Sequence, residues 1–170
     1  MKVLVTAASR HGATSEISRA IGLALSQHGI ETEVIRPEEV EAVARFDGVV
    51  VGSGVYAGRW LDPAKKLVDR ELAELVKRPV WLFSSGPVGD TSKPVEETAE
   101  VRAIRAQTHA VDHRVFAGKI DRAQLGFAER AIFRVVRAPE GDFRDWREIE
   151  AWAAEIASWL HARLLVEAGR

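Results

Sequence analysis

Short strand-like and helix-like segments alternate along this chain, and that alternation limits the possible folds more than any other feature. Runs of β-branched and apolar residues predict five strands, over 2–6, 33–36, 47–52, 79–83 and 113–117. Apolar residues at helical spacing predict helices over 14–28, 38–45, 62–76, 95–107 and 127–137, and a last helix that Asp145 caps. Because strands that alternate with helices form right-handed crossovers, we expect an α/β fold built on one parallel sheet.

The pattern fits a single domain over residues 1–170, with a doubly wound five-stranded parallel sheet in the strand order 2-1-3-4-5 and helices on both faces. The length is typical of one domain, and apolar residues make up 46% of the chain, which is enough for a packed core. The segment at about 119–143 lies outside the alternation. We interpret it as an insertion before the last helix.

Charge and cysteine content exclude several classes of protein. The chain has 24 Lys and Arg residues against 25 Asp and Glu, whereas nucleic-acid-binding proteins usually carry a positive excess. The absence of Cys excludes disulfides and thiolate metal sites, and the His residues show no spacing typical of metal ligands. No apolar run is long enough to cross a bilayer, and no signal peptide follows Met1. We therefore expect a cytoplasmic protein with no metal and no nucleic-acid partner.

Doubly wound sheets bind ligands at the carboxyl ends of their strands, where the strand order reverses. This rule selects three loops, of which the first follows strand 1 and opens the first helix. Free backbone N–H groups and the helix dipole favour an anion there. We expect phosphate contacts from the small, polar and glycine residues of this loop: Ser9, Arg10, His11, Gly12, Ala13 and Thr14. The alternative is an ordinary loop in which Thr14 only caps the helix.

The second and third loops follow strands 3 and 4. In the second, Tyr56 offers a flat surface for a planar ring, while we expect Trp60 to plug the sheet edge instead. In the third, backbone amides can bond the polar edge of a ring, and the alternative is a plain turn. The candidate ligand-binding residues of these two loops are Ser53, Gly54, Val55, Tyr56, Ala57, Gly58, Ser84, Ser85, Gly86, Pro87, Val88, Gly89 and Asp90.

A phosphate cradle, an aromatic wall and a third loop of small residues describe a site for a flat, phosphorylated ligand. No G-x-x-x-x-G-K-[ST] motif is present, and no G-x-G-x-x-G follows strand 1, which disfavours P-loop and dinucleotide sites. Ala7, Ala8 and Ser9 stand where a phospho-receiver domain needs acidic metal ligands. FMN fits better than a nucleoside triphosphate, because no Mg²⁺ ligands accompany the cradle.

The predicted helix over 127–137 has a possible role of its own. Arg130, Arg134 and Arg137 form a basic stripe beside a broad apolar face. This pattern is typical of helices that lie on an anionic membrane surface. The alternative is a helix packed on its own sheet, with the three arginines in solvent.

The chain resembles the flavodoxin-like family that includes the menaquinone-dependent protoporphyrinogen dehydrogenases. The resemblance covers nearly the whole chain. Its marks are 9–14, 52–58 and 83–86 after the strands, and a closing pattern of 117–118, 130–133, 141–142, 145–146 and 154–156. It implies an FMN cofactor, with the phosphate on the first loop and the isoalloxazine between the other two. The inserted segment is similar to the family's extra segment, which is associated with substrate or membrane contact.

The resemblance implies an oxidoreductase that passes electrons from a protoporphyrinogen-like substrate through FMN to a quinone. It also implies a peripheral location at the inner face of the cell membrane. The alternative is a non-catalytic flavodoxin-type electron carrier between protein partners. Such carriers are usually strongly acidic, and the net charge of −1 therefore disfavours this class. A flavin-free interaction domain is a third class. No side chain is an obvious general acid or base.

Overall fold

The computed structural model describes residues 1–86, 97–120 and 140–168. Its main sheet has five parallel strands and a short antiparallel one at the end of the third. The parallel strands are β1 (Lys2–Ala8), β2 (Glu31–Val34), β3 (Gly48–Tyr56), β5 (Val80–Ser85) and β6 (Asp112–Phe116), and the antiparallel strand is β4 (Arg59–Trp60). The order β2-β1-β3-β5-β6 confirms the predicted order of the parallel strands. We did not predict β4.

Helices cover both faces of this sheet. They are α1 (Ala13–Gln27), α2 (Asp62–Leu75), α3 (Ala99–Thr108) and α4 (Trp146–Ala168). A separate two-stranded ribbon, β7 (Lys119–Ile120) with β8 (Gly141–Asp142), precedes α4. The side chain of Asp145 accepts from the backbone N–H groups of Arg147 and Glu148, which confirms the predicted cap of the last helix.

Alternate residues of the strands face two separate apolar clusters. Val3 and Val5 pack with α1 and α4 on one face, whereas Leu4 packs with α2 and α3 on the other. Side chains of a strand alternate between the two faces, and a sheet buried on both is therefore apolar throughout. Each fully buried Val, Leu or Ile contributes roughly 1.5–3 kcal/mol. These clusters hold the carboxyl ends of β1, β3 and β5 at one edge of the sheet.

The predicted helix over 38–45 is wrong. The chain there forms two 3-10 turns, Pro37–Glu39 and Val43–Arg45, with extended backbone at Val40 between them. Partners on α2 take the backbone groups that a helix would use: a carboxylate oxygen of Glu71 accepts from the N–H of Val43, and Arg70 donates to the carbonyl of Val40. Tertiary contacts therefore override the local helix propensity.

Several predictions from the sequence lie outside the described residues. They are the helix over 127–137, most of the inserted segment, and Pro87, Val88, Gly89 and Asp90 of the third loop. Within the described residues, no helix is both long enough and apolar enough to span a bilayer.

Candidate functional site

The first loop presents an uncapped helix start. Gly12 stands at the N-cap of α1 with a φ of 84°, and no side chain caps the helix. Thr14 is buried within the first turn and does not cap it, so the alternative of an ordinary Thr14 cap is wrong. The first N–H groups of a helix have no partner inside it. This end of α1 thus keeps the donors that a phosphate needs.

The structure brings the first and second loops together. The rings of His11 and Tyr56 meet edge-on with centroids 6.3 Å apart, and the Arg10 guanidinium lies 5.6 Å from the centroid of Tyr56. A side chain at Gly54 would come within 3.2 Å of the hydroxyl of Thr14. The two loops are therefore in van der Waals contact at the point where the strand order reverses.

The second loop is a β-hairpin, and the predicted end of strand 3 at Gly52 is too early. Residues 53–56 continue β3, and Ala57 and Gly58 turn the chain into β4 with φ values of 50° and 75°. Two successive positive φ angles are typical of a tight hairpin turn. Buried Ser53 donates to the carbonyl of Gly54 and accepts from the N–H of Leu61. Its hydroxyl therefore braces the hairpin.

The third loop begins later than the sequence predicts, because Ser84 and Ser85 still belong to β5 and are buried. Gly86 leaves the sheet and donates its backbone N–H to the carbonyl of Phe116. A side chain at Gly118 would lie 3.2 Å from the Cα atom of Gly86, so the chain segments after β5 and β6 are packed backbone against backbone. At Gly86 and Gly118, backbone atoms are therefore what a ligand would meet.

Trp60 is buried with 2% exposure, as predicted for a residue that plugs the sheet edge. Its indole Nε1 donates to Oγ of Ser84, which also lies 2.9 Å from Nε2 of His113. The carboxylate of Glu97 lies 3.1 Å from Nδ1 of that imidazole. His113 is therefore held by polar partners on both sides of its ring, which the sequence did not indicate. Burial lowers the pKa of His113, and it does so against the opposite effect of Glu97.

Arg144 is a second residue whose role the sequence did not indicate. Its side chain is 2% exposed and donates to the carbonyl of Ala13 in the first turn of α1. The guanidinium forms ion pairs with Asp142 and Glu16, at 2.6 and 2.8 Å, and stacks on Trp146. The hydrogen bonds from Arg144 lower the pKa of Asp142. These contacts of Arg144 therefore fix the position of the first turn of α1.

A cavity of about 300 Å³ adjoins the first loop. Ser9 and Arg10 line it, together with Arg36 beyond β2 and Leu61 before α2. None of the described residues of the second or third loop within 53–58 and 84–86 lines it. The cavity is therefore a neighbour of the predicted phosphate loop, and it does not contain the predicted ring site.

Comparison with known sequences decides the family. Residues 4–146 match the flavodoxin domain family. The chain belongs to that family. Flavodoxin domains are FMN-binding domains, and membership therefore indicates FMN as the cofactor.

Individual relatives of this flavodoxin-domain protein are distant. The protoporphyrinogen IX dehydrogenase [quinone] of Escherichia coli strain K12 is 22% identical, over 92% of this chain and 95% of that protein. A flavodoxin from the domain Archaea has a TM-score of 0.67 at 16% identity, covering 95% and 99% of the two chains. Oxidised flavodoxin 1 from Bacillus cereus has a TM-score of 0.61 at 15% identity, covering 93% and 98%. These structural likenesses establish the fold.

The described residues fit FMN. The uncapped start of α1 and the exposed Gly12 leave room for a phosphate, because a side chain at Gly12 would meet no atom within 4 Å. Half-buried Tyr56 stands beside this loop with the polar side chains of His11 and Arg10 against its ring. An anion subsite next to an aromatic side chain matches a ligand that carries both a phosphate and a flat ring.

Proposed function

We propose that this flavodoxin-domain protein is an FMN-dependent oxidoreductase that passes electrons from a reduced, protoporphyrinogen-like substrate to a quinone. The observation that carries the proposal is the contact between the uncapped start of α1 and the Tyr56 hairpin. The substrate and acceptor are supported by similarity to the protoporphyrinogen IX dehydrogenase [quinone], which extends over 92% of the chain.

In this proposal the backbone N–H groups of residues 9–14 and the hydroxyls of Ser9 and Thr14 would hold the phosphate. The positive end of the α1 dipole favours the anion, and the guanidinium of Arg10 adds a positive charge in the same loop. Tyr56 would pack near the ring, and backbone groups of 54–58 and of 84–86 would meet its polar edges. When bound, FMN supplies the electron-transfer chemistry.

The protein's own contribution is binding and orientation. Ser53 and Ser84 use their buried hydroxyls to hold the hairpin and β5, so the groups that face the ligand sit on a rigid frame. We assign no side chain as general acid or base.

The alternative function is a non-catalytic electron carrier. It is favoured by the likeness to flavodoxins over nearly their full length. The net charge of −1 opposes it, because a strongly acidic surface is what steers such carriers to basic partners. The two functions differ in one measurable respect: an enzyme oxidises its substrate with a quinone and no second protein.

The first test is the visible absorption spectrum of the purified protein after FMN is added and the excess removed. We expect a flavin band that corresponds to one FMN per chain. Anaerobic assays with protoporphyrinogen and a soluble menaquinone analogue then follow. Retained flavin with quinone-dependent oxidation supports the enzyme, retained flavin without turnover supports the carrier, and loss of all flavin contradicts both.

Peripheral contact with the cytoplasmic face of a membrane is a further part of the proposal. It rests on the sequence of 127–137, which lies outside the described residues. Changing Arg130, Arg134 and Arg137 together to Gln should weaken sedimentation with vesicles that contain anionic lipid, since three cations near such a surface contribute roughly 1 kcal/mol each. Unaltered sedimentation would contradict the membrane contact and leave FMN binding untouched.

A further inference from the structure

Four side chains form one continuous chain of polar contacts beneath the second and third loops. Trp60 Nε1 is 2.9 Å from Ser84 Oγ, which is 2.9 Å from His113 Nε2, and His113 Nδ1 is 3.1 Å from a carboxylate oxygen of Glu97. The side chain of His113 is only 3% exposed. We call these four residues the Trp60 relay. Trp60, Ser84 and the side chain of His113 are buried, and such groups do not exchange their partners for water without cost.

The direction of each hydrogen bond follows from what the groups can donate. The indole N–H of Trp60 can only donate, so Ser84 accepts there and has one hydrogen of its own to give. Ser84 could accept a second hydrogen bond, so the tautomer is decided by the carboxylate of Glu97, 3.1 Å from Nδ1: it favours the ring proton on Nδ1 and leaves Nε2 to accept from Ser84. A neutral imidazole in this tautomer satisfies Trp60 and Ser84, while the Glu97 oxygen acts on the ring through its charge and has no hydrogen-bond partner among the described residues.

The relay joins three strands and the start of one helix. Trp60 belongs to β4, Ser84 is the penultimate residue of β5, His113 lies on β6, and Glu97 precedes Thr98, the N-cap of α3. The backbone N–H of Trp60 also donates to a carboxylate oxygen of Glu100 in the first turn of α3, at 2.7 Å. Both N–H groups of Trp60 are therefore hydrogen-bonded: the indole N–H to Ser84 on β5, and the backbone N–H to Glu100 on α3.

We propose that the Trp60 relay is a positioning device: it fixes the Tyr56 hairpin relative to the carboxyl end of β5 and so sets the width of the ring site. This inference rests on the proposed FMN site. Trp60 pairs with Val55 across the hairpin, and Arg59 pairs with Tyr56. A shift of Trp60 therefore moves the backbone that carries Tyr56. The relay residues act through the loops and do not touch the ligand.

The relay is also sensitive to protonation of His113. A second ring proton on Nε2 would point at Ser84, whose own hydrogen would then need another acceptor. Glu97 and Asp112 favour the charged ring, Arg105 opposes it, and burial outweighs them all in lowering the pKa of His113. We therefore expect the hydrogen bond from Ser84 to His113 to be present at neutral pH. It should be lost in acid, at a pH below the ordinary histidine pKa of about 6.5.

The tautomer can be tested in the protein without FMN. Nitrogen-15 NMR at neutral pH should show His113 protonated on Nδ1 alone, with His113→Gln assigning the signal. The indole N–H of Trp60, assigned with Trp60→Phe, should exchange slowly in the wild type and faster in Ser84→Ala. A ring protonated on Nε2 at neutral pH would overturn the relay whether or not FMN binds.

The positioning role is tested by FMN affinity, measured from quenching of flavin fluorescence. Ser84→Ala, Trp60→Phe and His113→Gln should each raise the dissociation constant about tenfold. The wild-type constant should rise as the pH falls below about 6.5, and His113→Gln should abolish that rise. His161→Gln, on the exposed face of α4, is the matched control and should change neither.

The outcomes separate this inference from the proposed function. Wild-type binding of FMN with unchanged constants in all three relay variants overturns the positioning role and leaves the FMN site standing. Failure of the wild type to bind FMN overturns both. A raised constant with an unchanged pH profile in His113→Gln overturns the part assigned to His113.

Discussion

The two sides of the candidate site are braced by different chemistry. On the α1 and α4 face, Arg144 holds the start of α1 through charge, with its guanidinium on Asp142, Glu16 and a backbone carbonyl. On the α2 and α3 face, the Trp60 relay holds the hairpin and β5 through hydrogen bonds around a neutral imidazole. One brace supports the predicted phosphate loop, and the other supports the predicted ring site.

The difference lies in what each brace responds to. The carboxylates of Asp142 and Glu16 are 40% and 46% exposed, so their attraction for Arg144 is partly screened by water and salt. In the relay, Trp60, Ser84 and the side chain of His113 are buried, so their hydrogen bonds should depend little on ionic strength, but they depend on where one proton sits. We therefore expect added salt to weaken the interactions that hold the phosphate loop, and a fall in pH to weaken those that hold the ring site.

The largest expected effect is that of Arg144→Ala. The change leaves two carboxylates and the Ala13 carbonyl without their partner, and removes a buried side chain stacked on Trp146. We expect a loss of about 2–3 kcal/mol in the free energy of unfolding, below the range for fully buried pairs because both carboxylates are half-exposed. Urea unfolding measures it.

The control for this change is Arg147→Ala, an exposed arginine three residues later, in the first turn of α4. It should leave the unfolding midpoint unchanged. Raising the salt concentration should reduce the difference in the free energy of unfolding between wild type and Arg144→Ala, because salt screens the ion pairs of Arg144. If salt changed the stability loss of Ser84→Ala as much as that of Arg144→Ala, the proposed difference between the two sides of the site would be wrong.

An intermediate effect is expected for Gly12→Ala. The positive φ of this residue should cost an alanine about 1–2 kcal/mol, although no atom blocks the added Cβ. Gly29 is a matched control, because it has a φ of 78° at the other end of α1 and is equally open. Both variants should lose similar stability, while only Gly12→Ala should weaken FMN binding. Equal FMN affinity in the two variants would argue against a phosphate on the first loop.

The smallest expected effect is the pH dependence of stability that His113 produces. Its folded-state pKa lies below the unfolded value of about 6.5, so the unfolded chain binds more protons in that interval. The free energy of unfolding should therefore fall as the pH drops below about 6.5 and level off below the folded-state pKa. Glu97 and Asp112 offset part of the burial cost, which keeps the change small.

Urea midpoints measured between about pH 7.5 and about pH 5.5 give the size of this slope, and His113→Gln should flatten it. Carboxylates such as Asp142, whose pKa is lowered by Arg144, lose their contribution only in more acidic solution, below about pH 4. An identical slope in wild type and variant would remove His113 as its source.

Sequence reasoning was strongest where the signal is local. Alternating apolar segments predicted the order of the parallel strands, and the rule for doubly wound sheets then selected the region where Tyr56 meets the first loop. The Asp145 cap was predicted from spacing alone. It was weakest at 38–45, where α2 supplies the hydrogen bonds that a helix would have used.

The sequence by itself determined the fold and the family, and it selected the three segments that we propose as the binding site. Only the tertiary structure decided which side chains brace that site. Ser84 and His113 are 29 residues apart in the chain, and Arg144 reaches a carbonyl 131 residues away. Helix and strand periodicity is written into neighbouring residues, whereas a buried polar group takes its partner from whichever element packs against it.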